Sequence, residues 1–207
     1  MKQILPFLII ATAITGCGPT IYKSTSFDSE KNKVKTIAIL PFNTTIDSKR
    51  LPKGVTIETL KESQEKTGYD VQSNVYSAFL HRSNEYTVQF QDIDKTNSLL
   101  KKANISYEDI FLKDKAEICS LLGVDAVISG RITMSKPMSE GAAVAVGLLV
   151  GAWGATNKTD VALTIHQNKG DLVWKYDYAA SGSVGSSAES LAKGLMKNVS
   201  KKFPYKG

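Results

Sequence analysis

The side chains able to do chemistry are few. The chain of 207 residues has two cysteines, Cys17 and Cys119, and two histidines, His81 and His166. His81 falls where an apolar helical stripe runs out, so a cationic imidazole there would complement the helix dipole. His166 borders the turn-like Asn168-Lys169-Gly170. Cys119 lies between Ile118 and Leu122 in helical sequence, which suits a small buried hydrophobe better than a nucleophile. Asp125 and Arg131 are six apart on one expected strand and share a face, either as a structural pair or as a site. HExxH, GxSxG, CxxC and phosphate-cradling glycine patterns are absent from the sequence. The expectation is a chain that is not an enzyme, with no catalytic residues, no metal and no cofactor. An envelope hydrolase would have to draw on His81, His166 or Cys119.

Cys17 stands in a different context. Met1-Lys2-Gln3 supplies one positive charge, and Ile4 to Ile14 then runs uncharged to Thr15-Gly16-Cys17. A basic start, a short apolar run and small residues before a cut are the marks of a secretory signal. The run is too short for the roughly 20 residues that span a bilayer. Ile14-Thr15-Gly16-Cys17 resembles the bacterial lipobox, whose cysteine is acylated and becomes the first residue of the mature protein. The expected organisation is residues 1–16 as lipoprotein signal, 17–33 as a flexible tether carrying lipidated Cys17, and 34–207 as one domain. Gly18, rather than aspartate, after the cysteine implies outer-membrane sorting by enterobacterial analogy, with the domain in the periplasm.

Composition agrees with one globular domain, at 42% apolar and 22% charged residues. Loss of Lys2 leaves the formal charge one below +6, spread over isolated lysines with no long basic run, so nucleic acid is not an expected partner. With Cys17 acylated, Cys119 has no disulfide partner within the chain.

The elements that would position these groups alternate. Val34 to Phe42 is a continuous apolar run suited to a strand covered on both faces. Asn43 to Lys66 lacks a clean period and reads as an exposed excursion with a helical turn near Ile57 to Ser63. Val71, Val75, Ala78 and Phe79 make a helical stripe ending near Arg82. A short strand is expected over Tyr86 to Phe90. The Ser106/Asp109 capping box opens a helix reaching Leu122, with Gly123 as its stop. Val124 to Ile132 is the next strand, and Thr159 to Gln167 with Asp171 to Ala179 form a hairpin. Ser186/Glu189 caps a last helix, with Leu195 and Val199 on its apolar face and Pro204 beyond it. The fold class is therefore α/β, a mixed sheet packed by helices in β-α-β-α-β-β-β-α order, with an apolar insertion between the third and fourth strands.

That insertion, Gly141 to Ala155 (GAAVAVGLLVGAWGA), carries no charge. Read with period two, Val144, Val146, Leu148 and Val150 form a bulky face. Read as a helix, Gly147 and Gly151 allow close approach. It packs on its own domain, joins copies in an oligomer, or enters a membrane, which would demand strands paired in a closed ring. Val144, Val146, Gly147, Leu148, Val150, Gly151 and Trp153 are the candidate membrane or oligomer contacts.

Taken together, the lipobox cysteine, Thr36-Ile37-Ala38-Ile39-Leu40-Pro41-Phe42, the join Leu121 to Gly130 (LLGVDAVISG) and the hairpin Gly170-Asp171-Leu172-Val173-Trp174 resemble the CsgG-like and TolB-N-terminal-like envelope lipoproteins. That group includes curli-secretion lipoproteins and penicillin-binding-protein activators. The resemblance implies helices on a mixed sheet, no catalytic residues and function through protein contacts. Pore-forming members carry two membrane hairpins per subunit, whereas this sequence offers one apolar segment. The expected partners are the membrane, through the lipid on Cys17, envelope proteins and a second copy of the chain. The expected role is a protein-interaction module in envelope assembly, secretion or cell-wall synthesis, with a pore-forming secretion subunit of the curli-export type as the alternative.

Overall fold

The computed structural model describes residues 19–47, 55–135, 158–181 and 188–207. Its centre is Ala126–Ser135 (β5), a ten-residue strand rich in β-branched side chains. On one side it pairs in parallel with Thr36–Ile39 (β2) and then with Asn43–Asp47 (β3). On the other it pairs antiparallel with Lys158–Gln167 (β6), which pairs with Leu172–Ser181 (β7). Thr20–Lys23 (β1) adds to β7, and the two-residue Gln89–Phe90 (β4) adds to β2. The result is a seven-stranded mixed sheet in the order β1-β7-β6-β5-β2-β4, with β3 also on β5.

Two helical layers cover it. Ile57–Leu80 (α2) and Ala188–Lys202 (α6) lie on one face, where Val71, Val75, Phe79, Leu195, Met196 and Val199 join Ile37, Ile39, Ile128, Leu163, Trp174 and Tyr176 in the main core. The opposite face is covered over β2 and the first half of β5. There Ile93–Lys102 (α3), Asp109–Leu112 (α4) and Lys115–Leu122 (α5) bury Leu100, Ile110, Ile118 and Leu122 on Ala38, Leu40 and Val127. The mixed α/β class expected from the sequence is the class observed.

Several elements differ from expectation, each for a local reason. The range read as a tether is folded over its described part. β1 pairs with β7, Phe27–Glu30 (α1) follows, and Phe27 is buried with its ring edge-on to Tyr205, 5.2 Å between centroids. One aromatic inserted into a core is enough to order a segment that has no apolar period. The exposed excursion contains β3 and the first half of α2, a helix of 24 residues. The Thr56 hydroxyl accepts from the Thr59 N–H and caps it. The helix expected from Ser106 to Leu122 is two. The reciprocal Ser106/Asp109 box forms, but Asp114 then caps α5 separately by accepting from the Ala116 N–H. Gly123, at φ 65°, ends α5, and Gly170, at φ 86°, turns the hairpin, both as expected. A register shift opposite Ile165/His166 buries both Val173 and Trp174, so the in-out alternation of β7 breaks at one step.

The decisive irregularity lies between β2 and β3. Ile39 is opposite Ile128 and Asn43 opposite Arg131, so one strand advances four residues while β5 advances three. At this one-residue bulge the Phe42 N–H turns from the ladder to the Gly68 carbonyl of α2. The Tyr107 hydroxyl donates to the Phe42 carbonyl and accepts from the Thr44 N–H. A Cβ on Gly130 would stand 2.0 Å from the Phe42 ring, so only glycine admits the ring there. Gly130→Ala is expected to cost about 1–3 kcal/mol as overpacking. Tyr107→Phe is expected to cost a similar amount, about 1–3 kcal/mol, by stranding two backbone groups. Urea unfolding measures both, and hydrogen exchange at Thr44 should accelerate in the tyrosine variant.

Candidate functional site

The sequence-predicted contact residues Cys17, Val144, Val146, Gly147, Leu148, Val150, Gly151 and Trp153 lie outside the described residues. The chain leaves the sheet at Ser135 and re-enters at Lys158, and these two residues pair directly. The apolar insertion therefore connects adjacent antiparallel strands.

The catalytic candidates are not assembled by the fold. His81 is the exposed C-cap of α2, as its position suggested. Cys119 is fully buried and its thiol is pushed up to about 11, chiefly by that burial and secondarily by Asp125 and Asp114. A thiol so held is protonated at neutral pH and inert as a nucleophile. Asp125 and Arg131 are separated along the strand by roughly 20 Å (six residues at about 3.3 Å rise). The Asp125 carboxylate accepts from the backbone N–H groups of Lys35 and Thr36 at 2.8 and 2.9 Å, tying the entry of β2 to that of β5. That tie was invisible in the strand periodicity. It could have been sought only as an acid preceding a buried strand. Among the described residues there is no group of three or more His, Cys, Asp or Glu placed to hold a metal ion.

What the fold does assemble is a sheet face that no described helix covers. Beyond the reach of α3, α4 and α5, the second face carries Ser129, Arg131 and Thr133 of β5, Ala162, Thr164 and His166 of β6, and Lys175 and Asp177 of β7. The pairing register puts Thr20 beside Asp177 and Tyr22 beside Lys175, so this face extends to the β1 edge. Lys175 and Asp177 pair at 2.9 Å. Arg131 is exposed at the middle. A shallow cavity of about 300 Å³ runs between Arg131, Lys175, His166 and Lys115, and a second of about 280 Å³ between Thr20, Arg131, Asp160 and Asp177. The Lys115 ammonium donates to the Ile110 and Lys113 carbonyls.

His166 sits at the inner rim of this face, with Nδ1 buried and unpartnered. Burial first, then Lys115, lowers its pKa, and Asp114 opposes them. The lowered pKa favours the neutral imidazole, and among the described residues no acid or hydroxyl is hydrogen-bonded to it.

No protein-family model matches the chain, and no curated protein matches it. Among solved structures it is similar to lipoprotein GNA1162 from Neisseria meningitidis, 12% identical, over 81% of this chain and 96% of that one, at a TM-score of 0.48. It is similar to PelC from Paraburkholderia phytofirmans, solved as a dodecamer, 13% identical, over 88% and 96%, at 0.41. The LpoB C-terminal domain from Salmonella enterica is 8% identical over 74% and 91%, at 0.38. These likenesses are distant in both sequence and backbone.

Because the native state holds His166 with fewer protons than the unfolded chain near the ordinary histidine pKa, stability should fall as pH drops from about 6.5 toward the lowered native value. The loss should be complete below that value, and His166→Gln should flatten this part of the pH profile. With Cys17→Ser leaving one thiol, Cys119 should resist a thiol reagent at pH 8 until denaturant is added.

Proposed function

We propose that this chain is a bacterial envelope lipoprotein, cleaved before Cys17 and held by acyl chains on that thiol, whose domain acts by binding proteins rather than by catalysis. The observation that carries the reading is the sequence Ile14-Thr15-Gly16-Cys17 directly after an uncharged run. Two or more acyl chains give stable anchoring at roughly 0.8 kcal/mol per buried methylene, so no further hydrophobic span is required. No described helix is long and apolar enough to cross a membrane. Gly18 favours the outer membrane, with the domain in the periplasm.

The non-enzymatic part of the reading is supported by how the reactive candidates are used. Cys119 is core and Asp125 is a backbone tie. The uncovered sheet face, polar and carrying Arg131 at its middle and Lys175 toward β1, is the kind of surface a protein partner reads. A second copy of the chain is a further proposed partner, through Gly141 to Ala155.

The alternative is an oligomeric pore-forming secretion subunit. It draws on the direct pairing of Ser135 with Lys158, since strands so joined can continue into an apolar hairpin.

Labelled palmitate should enter the protein and be lost in Cys17→Ser, which should also leave the membrane fraction. Incorporation unchanged by the serine would overturn the anchor. In-cell crosslinking should yield discrete adducts with envelope proteins. Planar bilayers should show no conductance, and detergent-resistant rings that conduct would favour the pore. A strict monomer by light scattering in buffer and detergent would remove the self-association part.

A further inference from the structure

We infer that the β1 edge of the sheet lies against the lipid headgroup layer, so that the domain is docked on the bilayer rather than suspended from it. This rests on the acylation of Cys17 proposed above. Only Gly18 and Pro19 separate that cysteine from Thr20, the first residue of β1. Three residues fully extended span at most about 11 Å, whatever path they take. The headgroup region on each side of a bilayer is itself roughly 5–8 Å deep. Thr20 is therefore confined to the headgroup layer or its immediate surface.

The strand cannot drift from the domain to lengthen this leash. All four β1 residues pair with β7, Thr20 with Asp177 through Lys23 with Trp174. The Ser24 N–H donates to the Val173 carbonyl at 2.9 Å, and Phe27, four residues further on, is buried. The leash is fixed to the core at its far end.

The surface brought to the bilayer has the chemistry of an interface. β1 is an edge strand, exposed along its length. Ile21 and Tyr22 are 40% and 49% exposed, two of the six large hydrophobic residues left exposed among the described ones, and both stand within five residues of the acylated position. An aromatic with an apolar ring and a polar tip is favoured where hydrocarbon meets water. Tyr22 shares the uncovered sheet face with Lys175, whose ammonium Asp177 pairs at 2.9 Å, so the strand next to β1 sets no unpaired carboxylate against the headgroups. Leu112 ends α4, whose Ile110 packs over β2 and β5 rather than over β1.

The test uses the full acylated chain in phosphatidylethanolamine/phosphatidylglycerol vesicles doped with a headgroup nitroxide. Buried Cys119 and acylated Cys17 leave a new cysteine as the labelling site. A fluorophore on Tyr22→Cys, or on Thr20→Cys should the first fold poorly, is expected to be quenched at least threefold more than one on Leu112→Cys, whose parent side chain is 83% exposed on α4. A twenty-residue Gly/Ser insertion between Gly18 and Pro19 should abolish the difference. Equal quenching at the two positions, in protein whose mass shows the acyl group and which floats with the vesicles, overturns the docking while leaving the anchor. Protein without acyl mass that does not float overturns both.

Discussion

Two backbone groups that the sheet ladder gives up, the Phe42 carbonyl and the Thr44 N–H, meet on one phenol, that of Tyr107. Most of the architecture depends on this meeting. β5 has ten residues against four in β2 and five in β3, so its partner edge has to be shared between those two strands with a residue to spare. If the extra residue were absorbed elsewhere, β3 would slip by one, turning Thr45 inward and Ile46 outward. Pro41 helps because it has no N–H to leave unpaired. Gly130 helps because the Phe42 ring occupies the space of its missing side chain. The same point joins three elements: the sheet, α2 through the Gly68 carbonyl, and the segment before α4 through Tyr107. Burial holds the Tyr107 phenol above its ordinary pKa, so it stays protonated and able to donate.

How much of this was legible follows from the range of the interaction involved. Patterns read within a few residues held: the β-branched run of β5, the Asn168-Lys169-Gly170 turn, the Gly123 stop and the Ser106/Asp109 box. Each is a contact between near neighbours, so spacing alone reveals it. Of the first half of α2 only a helical turn near Ile57 to Ser63 was legible, because the apolar stripe starts at Val71. What extends the helix back to Ile57 is a threonine cap and contacts supplied by the sheet. β1 was missed for the same reason. Its four residues are exposed, with no apolar alternation to announce them, and only the neighbouring β7 and the Phe27 anchor make them a strand.

The candidate site divides along the same line. Cys119 as a core residue and His81 at a helix end could be read from their flanks. Asp125 could not, because its partners, the Lys35 and Thr36 amides, are about ninety residues away in sequence. Two residues on one strand face look like a pair on paper, yet the carboxylate at the strand entrance turns to the neighbouring strand and Arg131 is left to solvent. The uncovered face was equally hidden. Alternation along β6 shows that Ala162, Thr164 and His166 share a side, but whether a helix covers that side is decided by where α3 to α5 stop.

The position of β1 changes what an anchor at Cys17 would mean. A long polar tether makes the anchor a device of effective concentration: it keeps the domain near the membrane and leaves its orientation free. A leash of three residues joined to an edge strand does something else. It removes most orientations, because a sheet six strands across, roughly 24 Å, cannot turn about a point held within about 11 Å of its edge without meeting the bilayer. The surfaces open to other proteins are then selected by geometry before any affinity is considered. The α3 to α5 layer and the distal part of the uncovered face remain available, whereas the β1 edge is withdrawn. An exposed edge strand is ordinarily a hazard for strand-to-strand association. A chain that places its free edge against headgroups protects that edge with the same covalent bond that fixes its location.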